Sequence, residues 1–296
     1  MTNPFLPPDT VRTELVEFAS HRRAVQGVVF MPAAKQPVSD TAVIFVHGVE
    51  HFWFLGPTMF MAPAFANRGI TTLGYNGRHS GLTFRHSAFE EAVDEIGDAI
   101  RFMKERGFSR IVLFGHSLGT PIIERYAATS PDNRLAGIAV MGPHDNLPGV
   151  TRDTLLGPQL YETFRAECRA LVAEGRDQEL RLLPYRSLTI ITSAKTFLSY
   201  RDVDDSKADV RDALPNITVP MLIVYDPKDN IHGVGKTTMR ADIVRSIKEK
   251  ARNARRVDVA EIPSIDGVNA VQAHSFVGNE TNAIDVSLRW LSDILG

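Results

Sequence analysis

Short apolar, β-branched runs alternate with longer amphipathic stretches along most of this chain, and that rhythm admits few architectures. Residues 11–18 and 24–30 read as two strands of an antiparallel start. Residues 42–46 (AVIFV) carry no polar alternation, as a strand covered on both faces requires. Residues 71–75 form another short run. Phe89, Val93, Ile96, Ile100 and Met103 then repeat at helical spacing, with Glu90, Glu91, Asp94, Glu95 and Asp98 on the wet side and Gly107 as the stop. Strand-like runs at 111–114, 135–141, 221–225 and 257–262 follow, separated by helical patterns at 122–127 and 237–251. A last stripe of Ile284, Leu288, Leu291 and Leu295 closes the chain. The expected fold is α/β, a doubly wound, mostly parallel sheet.

The rhythm breaks after Met141. Residues 155–171 and the stretch from Glu179 onward read as helical, with no clear core strand. The expected organisation is a core of residues 1–142 and 217–296, with 143–216 as a helical cap or lid inserted over one end of the sheet. With 33 Lys and Arg against 35 Asp and Glu, the chain lacks the basic excess of a general nucleic-acid binder. The single Cys168 cannot form an intrachain disulfide and sits in a helix-like run as a small buried hydrophobe. The N-terminal residues lack the basic start and apolar stretch of a signal peptide, and no window is apolar for long enough to span a bilayer. The expected location is cytoplasmic. Oligomeric state is not legible in the sequence.

One motif carries chemistry. Gly115-His116-Ser117-Leu118-Gly119 fits G-x-S-x-G, with the strand IVLF running into it and a helix pattern leaving it. A turn this tight strains the serine backbone and lifts its hydroxyl clear of the sheet. The flanking glycines are needed because a Cβ there would strike the neighbouring strand and helix. The N–H of Leu118, at a helix N-terminus, points to where an oxyanion would form. A serine hydroxyl is a weak nucleophile without a base, and the base needs an orienting acid. Both are available downstream: 221–225 is followed by Asp226, Asp229 and His232, and 257–262 by a loop ending in His274-Ser275-Phe276.

From about Ala42 to the C-terminus these features together resemble the α/β-hydrolase superfamily. The resemblance implies Ser117, Asp229 and His274 as a catalytic triad in the family's chain order. Asp226-Pro227-Lys228-Asp229 matches the family's G-x-x-D pattern except that Asp226 replaces the glycine. His47-Gly48 resembles the family's HG turn, which makes the Val49 N–H the second oxyanion donor beside that of Leu118. Residues 75–81 (YNGRHSG) resemble the loop after the next strand. The segment LLPYRSLTIITSAKTFLSYRD and the HSF triplet are similar to bacterial relatives of fungal siderophore esterases.

Read from the residues alone, other assignments stay open. Asp145, after the strand at 135–141, and Asp226 compete with Asp229 as the acid; Asp266 is a weaker rival. His232 competes with His274, although it stands only three residues beyond Asp229. His47 and His116 are expected to shape their turns, with His116 also beside the substrate. His51, Phe52 and Trp53 are expected to line the substrate pocket, while a helix buried against the sheet accounts for Met59, Met61 and Phe65. The expected function is hydrolysis of a small to medium apolar carboxylic ester, lactone or thioester through an acyl-enzyme. The expected partner is the small ester-like substrate. Acyl transfer by the same triad and a lyase-like or non-catalytic binding role are the alternatives. No metal or organic cofactor is expected, since the chain shows no G-x-G-x-x-G after a strand, no Walker motif and no H-E-x-x-H.

Overall fold

A computed structural model describes residues 11–21, 23–33, 40–130, 134–185, 188–230 and 240–296. His232, and the start of the helix expected from residue 237, lie outside the described residues. The chain opens with β1 (Val11–Ser20) and β2 (Arg23–Pro32), paired antiparallel as the two opening runs predict. Then follow β3 (Thr41–Val46), α1 (Pro57–Asn67), β4 (Thr71–Tyr75), α2 (Phe89–Glu105), β5 (Arg110–His116), α3 (Gly119–Thr129) and β6 (Leu135–Met141). After an excursion come β9 (Met221–Tyr225), α7 (Arg240–Lys250), β10 (Val257–Glu261), α8 (Ala270–His274) and α9 (Glu280–Leu295). The eight-stranded sheet has the order β1-β2-β4-β3-β5-β6-β9-β10, with β4 through β10 all parallel and β1 and β2 antiparallel. The doubly wound, mostly parallel α/β fold expected from the rhythm is the fold observed.

The period-2 geometry of a strand explains why the central runs are apolar throughout. Ile44 and Val46 of β3, Ile111 and Leu113 of β5, and Ile138 and Val140 of β6 enter one core with α2, α3 and α7. Their neighbours Val43, Phe45, Val112, Phe114, Ala139 and Met141 enter the opposite core with α1 and α9. In α1, Met61 and Phe65 are buried as expected, but Met59 is 57% exposed, because it falls on the outward side of the helix.

The excursion between β6 and β9 contains α4 (Leu147–Val150), a π-helical turn (Thr151–Leu156), α5 (Pro158–Ala173), β7 (Leu180–Tyr185), β8 (Leu188–Ser193) and α6 (Ala194–Arg201). It is therefore not purely helical: β7 and β8 pair antiparallel as a hairpin separate from the main sheet. The helix expected over 155–171 is also broken, at Gly157, whose φ of +80° ends the π turn before α5 begins. Tyr161, Phe164, Cys168, Leu171, Leu183, Ala194 and Phe197 form an apolar cluster of this segment's own. Burial there pushes the Cys168 thiol up to about 12, leaving it an inert hydrophobe. No helix among the described residues is long and apolar enough to cross a membrane.

Candidate active site

Because β3, β5, β6 and β9 run parallel, their C-terminal ends open onto one edge of the sheet, where such folds place ligands. Ser117 directly follows β5, with φ at +54°, the left-handed region that a side chain rarely occupies. The strain is held from both sides. Ser117 N–H donates to Met141 O at 3.0 Å, and its carbonyl accepts from Thr120 N–H at 2.9 Å and Thr120 Oγ1 at 2.8 Å. The glycines on either side are sterically obligatory. A Cβ on Gly115 would stand 2.8 Å from the carbonyl carbon of Gly119 and 2.9 Å from Ile123 Cδ1. A Cβ on Gly119 would overlap Val46 O and come within 2.9 Å of His47 O.

The HG turn after β3 is braced by neutral histidines. His47 Nδ1 donates to Gly48 O at 2.7 Å while its Nε2 accepts from Gly77 N–H at 3.1 Å, and His79 Nε2 donates to His47 O at 2.9 Å. Burial lowers both imidazoles, His79 to about 4. One neighbour of each expected oxyanion donor has its backbone N–H committed, that of Glu50 to His79 O and that of Ser117 to Met141 O. Val49 and Leu118 themselves line the cleft that reaches Ser117.

His274 ends α8 rather than a loop. Asn269 caps this short helix, accepting from Val271 and Gln272 N–H at 3.0 Å, and Gln272 reciprocates on Asn269 N–H. The buried imidazole lies over Gly142, where a Cβ would come 2.9 Å from its Cε1. The Ser117 backbone is tied to Met141, the residue before Gly142, so the serine turn and the His274 ring both adjoin the end of β6. His274 Nδ1 donates to Asp229 Oδ2 at 2.8 Å. This bond fixes the tautomer with the Nε2 lone pair free, and Nε2 is buried without a hydrogen-bond partner among the described residues.

Among the rival acids, Asp229 is the one bonded to His274. Asp226 is engaged by Ser264 Oγ and Lys228 N–H, Asp145 accepts from Ser246 Oγ at 2.7 Å, and Asp266 is exposed. Burial of Asp229 works to raise its pKa. The His274 imidazole and the Arg240 guanidinium outweigh it and hold the carboxyl well below the usual carboxylate range.

The cleft at Ser117 is narrow, about 30 Å³, and its wall is Val49, Leu118, Pro121, His144, Leu147 and Arg201. None of the four other residues expected beside the substrate is in the wall of this cleft, although the His51 and His116 rings both approach the Gly48 turn beside Ser117, each Nδ1 3.5 Å from where a Cβ on Gly48 would stand. His116 is buried and spends Nε2 on His274 O at 2.9 Å, so it braces the histidine loop instead of facing the cleft. Burial, reinforced by nearby His274, holds His116 well below the usual imidazole range. Phe52 stacks on Phe54 at 5.1 Å, and Trp53 packs edge-on to Phe30 at 6.2 Å while its backbone N–H donates to Asn76 Oδ1. His51 is half-buried, 6.2 Å from the His116 ring, and its pKa is lowered by burial and by the charge of His274. The sequence reading missed Pro121, His144, Leu147, Arg201 and Arg240. Pro121 stands two residues past the motif, but the others are joined to it only by the path of the segment after β6 and by the start of α7. No three His, Cys, Asp or Glu side chains among the described residues converge as a metal site would require.

The sequence model of the Alpha/beta hydrolase family matches residues 43–269. Among curated proteins, none matches the sequence. Similar solved structures include Est1E from Butyrivibrio proteoclasticus with bound ferulic acid, 15% identical, with a TM-score of 0.66 over 94% of this chain and 99% of that one. The siderophore hydrolase EstB from Aspergillus fumigatus is 15% identical, with a TM-score of 0.67 over 98% of this chain and 99% of the other. A highly thermostable carboxyl esterase from Bacillus coagulans is 13% identical, with a TM-score of 0.68 over 96% and 99%. At these identities the likeness is one of fold.

Proposed function

The chain belongs to the alpha/beta hydrolase family, and from that premise we propose that it hydrolyses a carboxylic ester of a small substrate with Ser117 as nucleophile. Two observations support this: a serine held at φ +54° directly after β5, and, over the end of the neighbouring β6, a buried imidazole whose Nδ1 is bound to a carboxylate at 2.8 Å. His274 Nε2 takes the Ser117 proton as Oγ attacks the ester carbonyl. Val49 and Leu118 N–H groups stabilise the tetrahedral oxyanion. As that intermediate collapses, the C–O bond to the alcohol breaks, and His274 returns the proton to the leaving oxygen. Water, deprotonated by His274, then attacks the acyl-enzyme and releases the acid and Ser117. Asp229 keeps the imidazole in the productive tautomer and stabilises its protonated form.

A cleft of about 30 Å³ holds on the order of one or two waters, so in this conformation it suits a short acyl group. Residues 143–216 act as the cap in this reading, since Leu147 and Arg201 supply part of the wall. The test is labelling by a fluorophosphonate, together with turnover of p-nitrophenyl esters of increasing acyl length, each with Ser117→Ala as control. Labelling confined to Ser117 and turnover falling with acyl length are expected. Equal turnover by wild type and variant would remove the serine mechanism.

A further inference from the structure

The buried pair of His274 and Asp229 has a third member. Arg240, the first residue of α7, is itself buried, at 4% exposure. Its Nη2 donates to Asp229 Oδ1 at 3.0 Å, on the carboxylate oxygen that His274 does not use. Its Nε lies 2.9 Å from Oδ2 without being aimed at it, and its Nη1 donates to the Pro143 carbonyl just beyond β6. One guanidinium therefore ties the loop after β9 to the loop after β6, on which His274 rests.

We propose that Arg240 is a positioning residue of this site: it locks the Asp229 carboxylate in rotation and, by balancing its charge, keeps His274 available as a free base at lower pH. The inference rests on the reading of Ser117, His274 and Asp229 as the working unit. Each carboxylate oxygen has its own donor, so the group cannot turn without losing one bond. The charge argument follows from burial. Asp229 and Arg240 together are neutral, so protonating His274 adds a net positive charge to a dry site. Among the described residues, the other titratable groups near His274 are His116, at 4.8 Å between rings, His144 at 6.1 Å, and His51, and none of these supplies a compensating anion. Without Arg240 the carboxylate loses this countercharge, and a positive charge on the imidazole is less opposed.

The experiment compares wild type, Arg240→Gln and Arg240→Lys in the pH profile of kcat/KM on a short p-nitrophenyl ester. The His274 ring is titrated in parallel by NMR in a Ser117→Ala background. For Arg240→Gln the acidic limb and the ring titration should both move up by about one pH unit. Arg240→Lys should return both to within about 0.3 unit of wild type, because the charge is kept. An unmoved limb in the Gln variant, or a Lys variant displaced as far as the Gln variant, overturns the proposal. Should the Gln variant fail to fold, the Lys variant decides: a limb a full unit higher with a normal melting temperature refutes it. The ring titration needs no turnover, so it separates failure of this inference from failure of the serine mechanism, which would appear as loss of Ser117 labelling.

Discussion

The sharpest test of the Ser117 turn is a single methyl group placed on Gly119. A Cβ there would overlap Val46 O and stand 2.9 Å from both Val46 C and His47 O, all backbone atoms. They cannot yield cheaply. β3 is central, paired with β4 on one side and β5 on the other, with Val46 opposite Gly115. Overpacking of a well-packed site costs about 1–3 kcal/mol, and a rigid backbone neighbour puts Gly119→Ala at the top of that range, about 3 kcal/mol. At about 2 °C per kcal/mol for a chain of this size, the melting temperature should fall by about 6 °C. The methyl group also pushes on the HG turn that presents the Val49 N–H. Ester turnover should therefore fall by about 100-fold even where the protein is fully folded, as when one oxyanion donor is lost. Gly107→Ala is the control: its φ is +96° but nothing lies within 4 Å, so backbone strain alone costs about 1–2 kcal/mol and turnover stays unchanged. Thermal melts and p-nitrophenyl ester kinetics on both variants decide. A Gly119→Ala protein melting within about 2 °C of wild type and turning over normally would refute the steric account of the elbow.

Other consequences are as direct. Asp229→Asn should cut kcat by about 10⁴-fold through the wrong imidazole tautomer, and it should cost about 3–5 kcal/mol by leaving buried Arg240 uncompensated, read by urea denaturation. Since the folded Asp229 carboxyl lies below its unfolded value, its stabilisation is complete above the unfolded carboxyl pKa of about 4 and disappears as pH falls further. The buried neutral His79 and His47 act in a different window. Their folded pKa values lie below the free imidazole value of 6.5, so the unfolded chain gains protons first and the urea midpoint should fall from pH 6.5 down toward the His79 value of about 4. A midpoint constant over that interval would contradict the buried, neutral assignment. Phe65→Ala, removing a fully buried ring packed between Phe45 and Phe114, should cost about 3–5 kcal/mol, whereas Met59→Ala, on the exposed side of the same helix, should stay within about 0.5 kcal/mol.

The sheet and the serine turn were legible because each is a local rule repeated along the chain. A fully apolar run such as AVIFV has to be covered on both faces, and G-x-S-x-G between a strand and a helix has one workable backbone path. What the sequence left open was also local. Phe52, Trp53 and His116 stand next to the oxyanion turn and the serine in sequence, yet their rings turn to Phe54, Phe30 and the His274 carbonyl. Adjacency along a chain fixes the Cα position but not the direction of the side chain. Gly157 and the β7–β8 hairpin interrupted what read as uniform helix, because amphipathic residues in a small satellite core serve either period.

The sequence by itself determined the layering, the strained serine and the supply of a carboxylate and an imidazole downstream, since these depend on residue type, spacing and order. It left four acids, Asp266 the weakest of them, and two histidines in contention. Tertiary structure paired Asp229 with His274, turned Asp226 and Asp145 toward Ser264 and Ser246, brought Arg240 onto the same carboxylate, and walled the cleft with Leu147 and Arg201. Hydrogen bonds of about 3 Å between residues far apart in the chain are set by where the loops end in space, and no local pattern encodes that.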